Sequence, residues 1–229
     1  MRKWLFMAVI GLICACTSQP PVSVPPATVM PPGFPGAYYR ATAAQGARVF
    51  SIDPAESLLV IEVYRGGSLA RLGHDHVVAS HDVQGFIAPG IGRADLYVPI
   101  DRLVVDESRL RAQAGFDTQP SVEDIAGTRR NMLKALDADQ FPFAVINVDG
   151  AQNASGTAEG RVTLTLRGVG RSFQVPIRTE ITSGAVSAVG RLTLKQTDFG
   201  ITPLSVLGGA IQVQDEVSLR FSIRARAMN

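Results

Sequence analysis

The chain has 229 residues, of which 46% are hydrophobic and 18% charged, with a formal net charge of +2. That length supports one sizeable core and is short for two full domains. The basic residues form no cluster, so there is no electrostatic footprint for nucleic acid.

The first segment, "MRKWLFMAVIGLICAC", places Arg2 and Lys3 before an apolar run from Trp4 to Cys14, and Ala15 before Cys16. A charged start, an apolar stretch too short to span a bilayer and a small residue at the cut are the marks of an export signal. Its ending also resembles the bacterial lipobox. The expectation is a lipoprotein signal peptide over 1–15 and lipidation of Cys16, which attaches the protein to a membrane on the periplasmic side. Thr17 is not aspartate, which by the usual sorting rule favours the outer membrane. Removal of residues 1–15 takes away two basic residues and no acidic one, leaving 20 basic against 20 acidic side chains. With Cys14 discarded and Cys16 consumed, no thiol remains for a disulfide, a metal or a nucleophile.

Seven of the fourteen prolines lie between Pro20 and Pro35. Proline at that density removes amide donors and favours polyproline II, which predicts a semi-rigid spacer over 16–46, about 3.1 Å per residue where extended. The folded domain is expected over 47–229.

From Ala47 onward the dominant period is two, the signature of half-buried strands. "SLLVIEVY" is the first candidate. All three histidines follow it, in "RLGHDHVVASH" (Arg71–His81). If "HDHVV" is a strand, His74 and His76 share a face and can reach one Zn²⁺ or Fe²⁺ ion, whereas His81 falls on the opposite face. The other reading is a set of polar residues at a barrel mouth, meeting carboxylates or ligand oxygens. "DVQGFIA" and "ADLYVPI" continue the strand pattern. "SVEDIAGTRRNMLKALD" breaks it, because Val122, Ile125, Met132, Leu133 and Leu136 recur at helical spacing behind a Ser121 N-cap, with Asp124 in the capping-box position. Its apolar stripe is expected to cover the barrel.

"FAVINV" returns to strand. "RVTLTLR" and "SFQVPIRTEI" flank Gly168 to Gly170, which predicts a hairpin turning on those three residues. "AVGRLTLKQ" and "IQVQDEVSLRFSIRARA" complete about eight strands, enough to close an all-β antiparallel barrel whose interior holds one small ligand. Phe173, Val175, Ile177, Leu192, Leu194, Val217, Leu219 and Phe221 lie on the apolar faces of their strands and are the predicted cavity lining.

Catalytic signatures are scarce. There is no G-x-S-x-G elbow, phosphate-binding glycine loop or H-E-x-x-H, and "DFG" at Asp198–Gly200 lacks the other motifs that would make it a kinase element.

"VTLTLRGVGR" (Val162–Arg171) resembles the G-x-L-T-I-R-G-V-T-R hairpin of YceI-like proteins. "MLKALDADQFPFAVINV" is similar to that family's helix and following strand, "LKQTDFGI" to its late D-F-G-I strand, and "VQGFIA" to its V-x-G-x-F strand. The resemblance covers about Phe50 to Ile223. It implies a lipocalin-like barrel with a long apolar cavity, a bound isoprenoid, quinone or fatty-acyl amphiphile, no other cofactor and no catalysis. His76 is then the position expected to touch the ligand's head group, with His74 and His81 beside it. The competing expectation is a metal-dependent enzyme or metal-binding protein using His74 and His76.

Overall fold

The computed structural model describes residues 30–150 and 154–228. The expected signal peptide, Cys16 and the first half of the spacer lie outside the described residues. The alternating segments pair into one antiparallel sheet of twelve strands among the described residues. Eight of them form a closed ring by successive pairing: β1 (Phe50–Ile52), β4 (Gln84–Ala88), β5 (Arg93–Pro99), β7 (Phe143–Asp149), β8 (Gly156–Leu166), β9 (Val169–Ile181), β10 (Ala185–Lys195) and β12 (Ile211–Ala227).

The seam is β12. Of its 17 residues, Glu216 to Arg226 pair along one edge with β10, while the other edge is divided. The C-terminal end of that edge pairs with β1, Phe50 opposite Ala227, and the rest pairs with β2 (Leu58–Gly66). The sheet continues from β2 to β3 (His76–Ser80) and β6 (Val104–Val105), and β11 (Ser205–Val206) pairs with the start of β12. The eight-stranded antiparallel barrel expected from the sequence is therefore present, closed by the three-residue β1, while the more conspicuous "SLLVIEVY" segment pairs beside it. A strand of three residues is too short to announce itself by periodicity.

Two turns show how local chemistry sets register. The β8–β9 hairpin turns on Arg167 and Gly168, with Leu166 opposite Val169, rather than on Gly168 to Gly170. Both turn residues have positive φ, 51° and 72°, as a two-residue type I′ turn demands, and that turn suits the twist of the flanking strands. At Gly85, φ is 142° and a side chain would begin 2.2 Å from the Asp95 carbonyl, so only glycine allows β4 and β5 this close.

The spacer expectation needs correction at its C-terminal end. Residues Gly36–Ala44 form helix α1, whose Tyr39 is fully buried with Val49 and Ala88. Its hydroxyl donates to Asp95 Oδ2 at 2.7 Å, and Asp95 also accepts from Arg93 Nε at 2.7 Å and Asn147 Nδ2 at 2.5 Å. A single anchoring tyrosine leaves no helical periodicity to read. Packed structure thus begins before residue 47.

Helix α2 (Ser108–Ala114) was not foreseen; its Leu110 packs on Val60, Val77 and Ala79, the outward faces of β2 and β3. Helix α3 (Val122–Ala135) follows the sequence reading closely. Ser121 Oγ accepts the Asp124 amide and Asp124 accepts the Ser121 amide, completing the capping box. Ile125, Met132, Leu133 and Leu136 pack against the barrel core, but Val122 is 77% exposed and contributes nothing to that stripe.

Candidate functional site: an apolar cavity and its polar end

The inward faces of the strands do not fill the barrel. They enclose a cavity of about 690 Å³, within the usual range for small-molecule sites. At about 30 Å³ per water-sized group, it has room for roughly twenty methylene-sized units. Its walls come from all around the barrel, including Leu59 and Ile61 on β2, Leu96 and Val98 on β5, Ile146 on β7 and Leu164 on β8.

Of the eight residues singled out by parity, Ile177, Leu192, Leu194, Val217, Leu219 and Phe221 are on the cavity wall. Phe173 and Val175 share their inward face, since Phe173 stands opposite Val162 and Val175 opposite Gly160, but neither is part of the lining. Phe173 packs on Phe199 with ring centroids 6.4 Å apart, and Val175 is wholly buried. Parity assigns a face; it does not say which residues of that face touch the open space. The ring of Phe221 fits because its cross-strand neighbour is Gly190, where a side chain would begin 2.5 Å from Phe221 Cζ.

Helix α3 closes one end, contributing Thr128, Asn131, Met132, Lys134 and Ala135 to the wall. Most of the polar wall groups gather there: His76, Thr128, Asn131, Lys134, Arg167, Gln196 and Thr202. Register explains why His76 is among them. His76 is opposite Val63, Val63 opposite Val217 and Val217 opposite Leu194, and β10 ends one residue later, at Lys195, before Gln196. The β8–β9 turn, with Arg167, lies at the same end, because β9 and β10 run antiparallel with Val186 opposite Ile181 and Gly190 opposite Ile177, so β9 starts where β10 ends.

Two of the three histidines, His74 and His76, are brought together, and His81 is not. His74 precedes β3 and lines a neighbouring hollow of about 300 Å³, which His76, Thr128 and Asn131 share with the main cavity. The His74 Nε2 is 3.9 Å from Asp124 Oδ2 of the α3 capping box, its Nδ1 is buried without a hydrogen-bond partner among the described residues, and its ring is 6.1 Å from that of His76. His81 stands apart from both hollows, half exposed, with Nε2 2.8 Å from Glu107 Oε2. Among the described residues no group of three or more His, Cys, Asp or Glu is placed to hold a metal ion.

His76 is held by a buried network invisible in the sequence. Its Nδ1 is 2.6 Å from Asp106 Oδ2, while Asp106 Oδ1 accepts from the Val77 amide at 3.0 Å and from Arg111 Nη1 at 2.6 Å. Arg111 also donates to the Asp75 carbonyl at 2.5 Å and the Thr118 carbonyl at 2.6 Å. Burial pushes the Asp106 carboxyl up, but the hydrogen bonds from His76, Val77 and Arg111 outweigh it and hold the group below the usual carboxylate range. An ionised Asp106 can only accept, so the proton of the contact resides on His76 Nδ1, and a neutral His76 presents Nε2 as an acceptor. Asp106 and Arg111 lie outside every motif, and only the fold brings them to His76.

A profile described as a YceI-like domain matches residues 50–225, about three quarters of the chain. The chain belongs to the YceI-like family. Its fold is shared with a polyisoprenoid binding domain from Saccharophagus degradans implicated in plant cell wall breakdown, at 12% identity over 78% of this chain and 98% of that one, with a TM-score of 0.56. Weaker likenesses are to BcnA of Burkholderia cenocepacia, at 16% identity over 76% of this chain and 98% of that one (TM-score 0.48), and to the YceI protein of Campylobacter jejuni, at 15% over 65% and 82% (TM-score 0.43). No curated protein matches it in sequence. In this YceI-like barrel the D-F-G-I segment is structural: Phe199 and Ile201 are buried in the core at the polar end of the cavity.

Proposed function

We propose that the protein is a non-catalytic binding protein that holds the chain of an isoprenoid, a quinone or a fatty-acyl amphiphile in the barrel, anchored through a lipidated Cys16 and facing the periplasm at the outer membrane. The observation that carries this reading is the cavity of about 690 Å³ with apolar walls and polar groups gathered at one end. That is the distribution a long-chain amphiphile requires. Burial of each methylene contributes about 0.8 kcal/mol, so a chain of some fifteen methylenes gains on the order of 12 kcal/mol against association costs of about 4 to 15. A polyisoprenoid binding domain of the same fold supports the choice of ligand class.

In this reading His76, fixed by Asp106, offers a polar contact to the head group, His74 borders the hollow beside it, and His81 lies too far out to take part. A metal-dependent activity through His74 and His76 is the less supported reading, because among the described residues no third His, Cys, Asp or Glu joins them in a group placed to hold a metal ion. The test is titration of the delipidated protein with a long-chain prenol or quinone. Saturable binding near one ligand per protein is expected; failure of every long-chain ligand to bind would refute the proposal. Cell fractionation tests the anchor separately: the wild type should follow the outer membrane and Cys16→Ala should not.

A further inference from the structure

Nine large apolar side chains are exposed among the described residues, and five of them gather in one place: Leu72, Val122, Leu204, Val206 and Leu207. Leu204 and Val206 line the smaller hollow beside His74, and the other three are next in sequence to Gly73, Glu123 and Val206, which also line it. A hydrogen bond of 2.7 Å from the Leu69 amide to the Ala210 carbonyl ties the turn that carries Leu72 to the β11–β12 hairpin that carries Leu207. Apolar residues exposed singly are ordinary, whereas a group of them marks a contact surface. Leu207 is the one that folding explains least. It sits at the tip of the hairpin with φ of 51° and is 71% exposed. Left-handed backbone is strained for leucine, and asparagine or glycine would make the turn without that strain.

The group borders the opening of the main cavity. Asn131, Lys134, Thr202 and Leu204 line that cavity and are exposed, so it reaches solvent between α3 and the segment that follows Phe199. Leu204 lines both hollows and so joins the exposed apolar group to the apolar interior. The N-terminal segment meets the barrel in the same half. Phe34 packs edge-on against Tyr97 at 4.8 Å, Tyr97 packs against Phe143 at 5.7 Å, and Phe141, two residues earlier, lies against the β8–β9 turn. From the proposed anchor at Cys16 to Met30 the chain reaches at most about 50 Å.

We propose that these five apolar residues dock the mouth of the barrel on the surface of a lipid bilayer. The proposal rests on the cavity-binding and anchor readings and adds to them the route by which a ligand enters. A long-chain amphiphile passes most readily from a membrane to the cavity when no water lies between the two, and an apolar rim set into the head-group layer removes that water. The anchor supplies the second attachment that a small apolar patch needs for stable membrane binding.

The experiment places a polarity-sensitive fluorophore on the full-length mature protein through Leu207→Cys, since the expected mature chain has no other free thiol. The labelled protein is added to phosphatidylcholine vesicles that carry a quencher on their acyl chains. The emission should shift to the blue and be quenched, and should do neither for Ile91→Cys, an exposed position at the β4–β5 turn at the opposite end of the barrel. Leu207→Asn combined with Leu72→Asn, in which asparagine suits the positive φ at 207, should slow transfer of a long-chain prenol from vesicles to the protein about ten-fold and leave its affinity for prenol in dilute detergent unchanged. A label at 207 that stays unquenched while the protein floats with the vesicles overturns the docking and leaves the anchor standing; protein that does not float overturns both. A blue shift without vesicles, together with a concentration-dependent dimer in sedimentation, assigns the rim to a second copy of this chain and overturns the proposal. Quenching at 207 in a protein that takes up no prenol supports the docking and refutes the cavity reading.

Discussion

Replacing Asp106 by asparagine isolates the network that holds His76. The side chain of Asp106 is fully buried and that of Arg111 is 7% exposed. Asparagine keeps the shape and tolerates the positive φ of 58° at this position, so backbone strain adds nothing to the effect. What is lost is the negative charge opposite Arg111 and His76. Breaking a buried ion pair from one side costs about 3 to 5 kcal/mol, because the other charge stays buried without its partner. Arg111 retains its bonds to the Asp75 and Thr118 carbonyls, which softens the loss and places the expected cost near the lower bound, about 3 kcal/mol. That is more than a hundred-fold in the ratio of folded to unfolded protein. Urea unfolding at pH 7, followed by circular dichroism, measures it. The pH dependence supplies the sign. Because the Asp106 carboxyl is held below its usual range, its contribution is fully present above about pH 4 and is lost as the pH falls through the ordinary carboxylate value toward the lower folded one. The gap between wild type and Asp106→Asn should therefore shrink on acidification below pH 4. A gap under about 0.5 kcal/mol at pH 7, or one that widens in acid, would refute the reasoning.

Tyr39→Phe removes the hydroxyl that joins α1 to the buried Asp95 carboxylate and should cost about 1.5 to 3 kcal/mol in the same unfolding assay; no measurable change would mean that α1 is not held by this bond. Burial, with Asp95 beside it, pushes the Tyr39 hydroxyl far above its ordinary value, so no loss of this contact is expected as the pH rises to 10. Ile177→Trp faces the cavity and should fold, at a cost below the usual 1 to 3 kcal/mol of overpacking, while weakening ligand binding; Thr193→Trp, on the exposed face of β10 between Leu192 and Leu194, should leave binding unchanged.

The sequence displays what repeats and hides what is brought together. Period two along β8, β9, β10 and β12, and period 3.6 along α3, reflect one buried face each, so the barrel, the helix and six of the eight proposed wall residues could be read from spacing alone. The three-residue β1 that closes the ring and the helix α1 with its one buried tyrosine carry too few periods to register. The polar end of the cavity is harder still, because His76, Asp106 and Arg111 meet across strand, loop and helix, and Asp106 is 30 residues from His76. Of the three histidines, His74 and His76 border one hollow with their rings 6.1 Å apart, and His81 stands away from both hollows, as the parity of the segment implies.

The most direct test of the central claim is mass spectrometry of the organic extract from natively purified wild-type protein and from Leu219→Trp, with the amount of lipid measured per protein. Leu219 lines the cavity between Leu192 on β10 and Ile61 on β2, so the indole would occupy the space of the ligand's chain. A single long-chain amphiphile near one per wild-type protein, absent from a folded Leu219→Trp, is the predicted result. A wild type that carries no such amphiphile, together with a Leu219→Trp that unfolds for want of room, would show a packed core in place of a binding cavity and contradict the account.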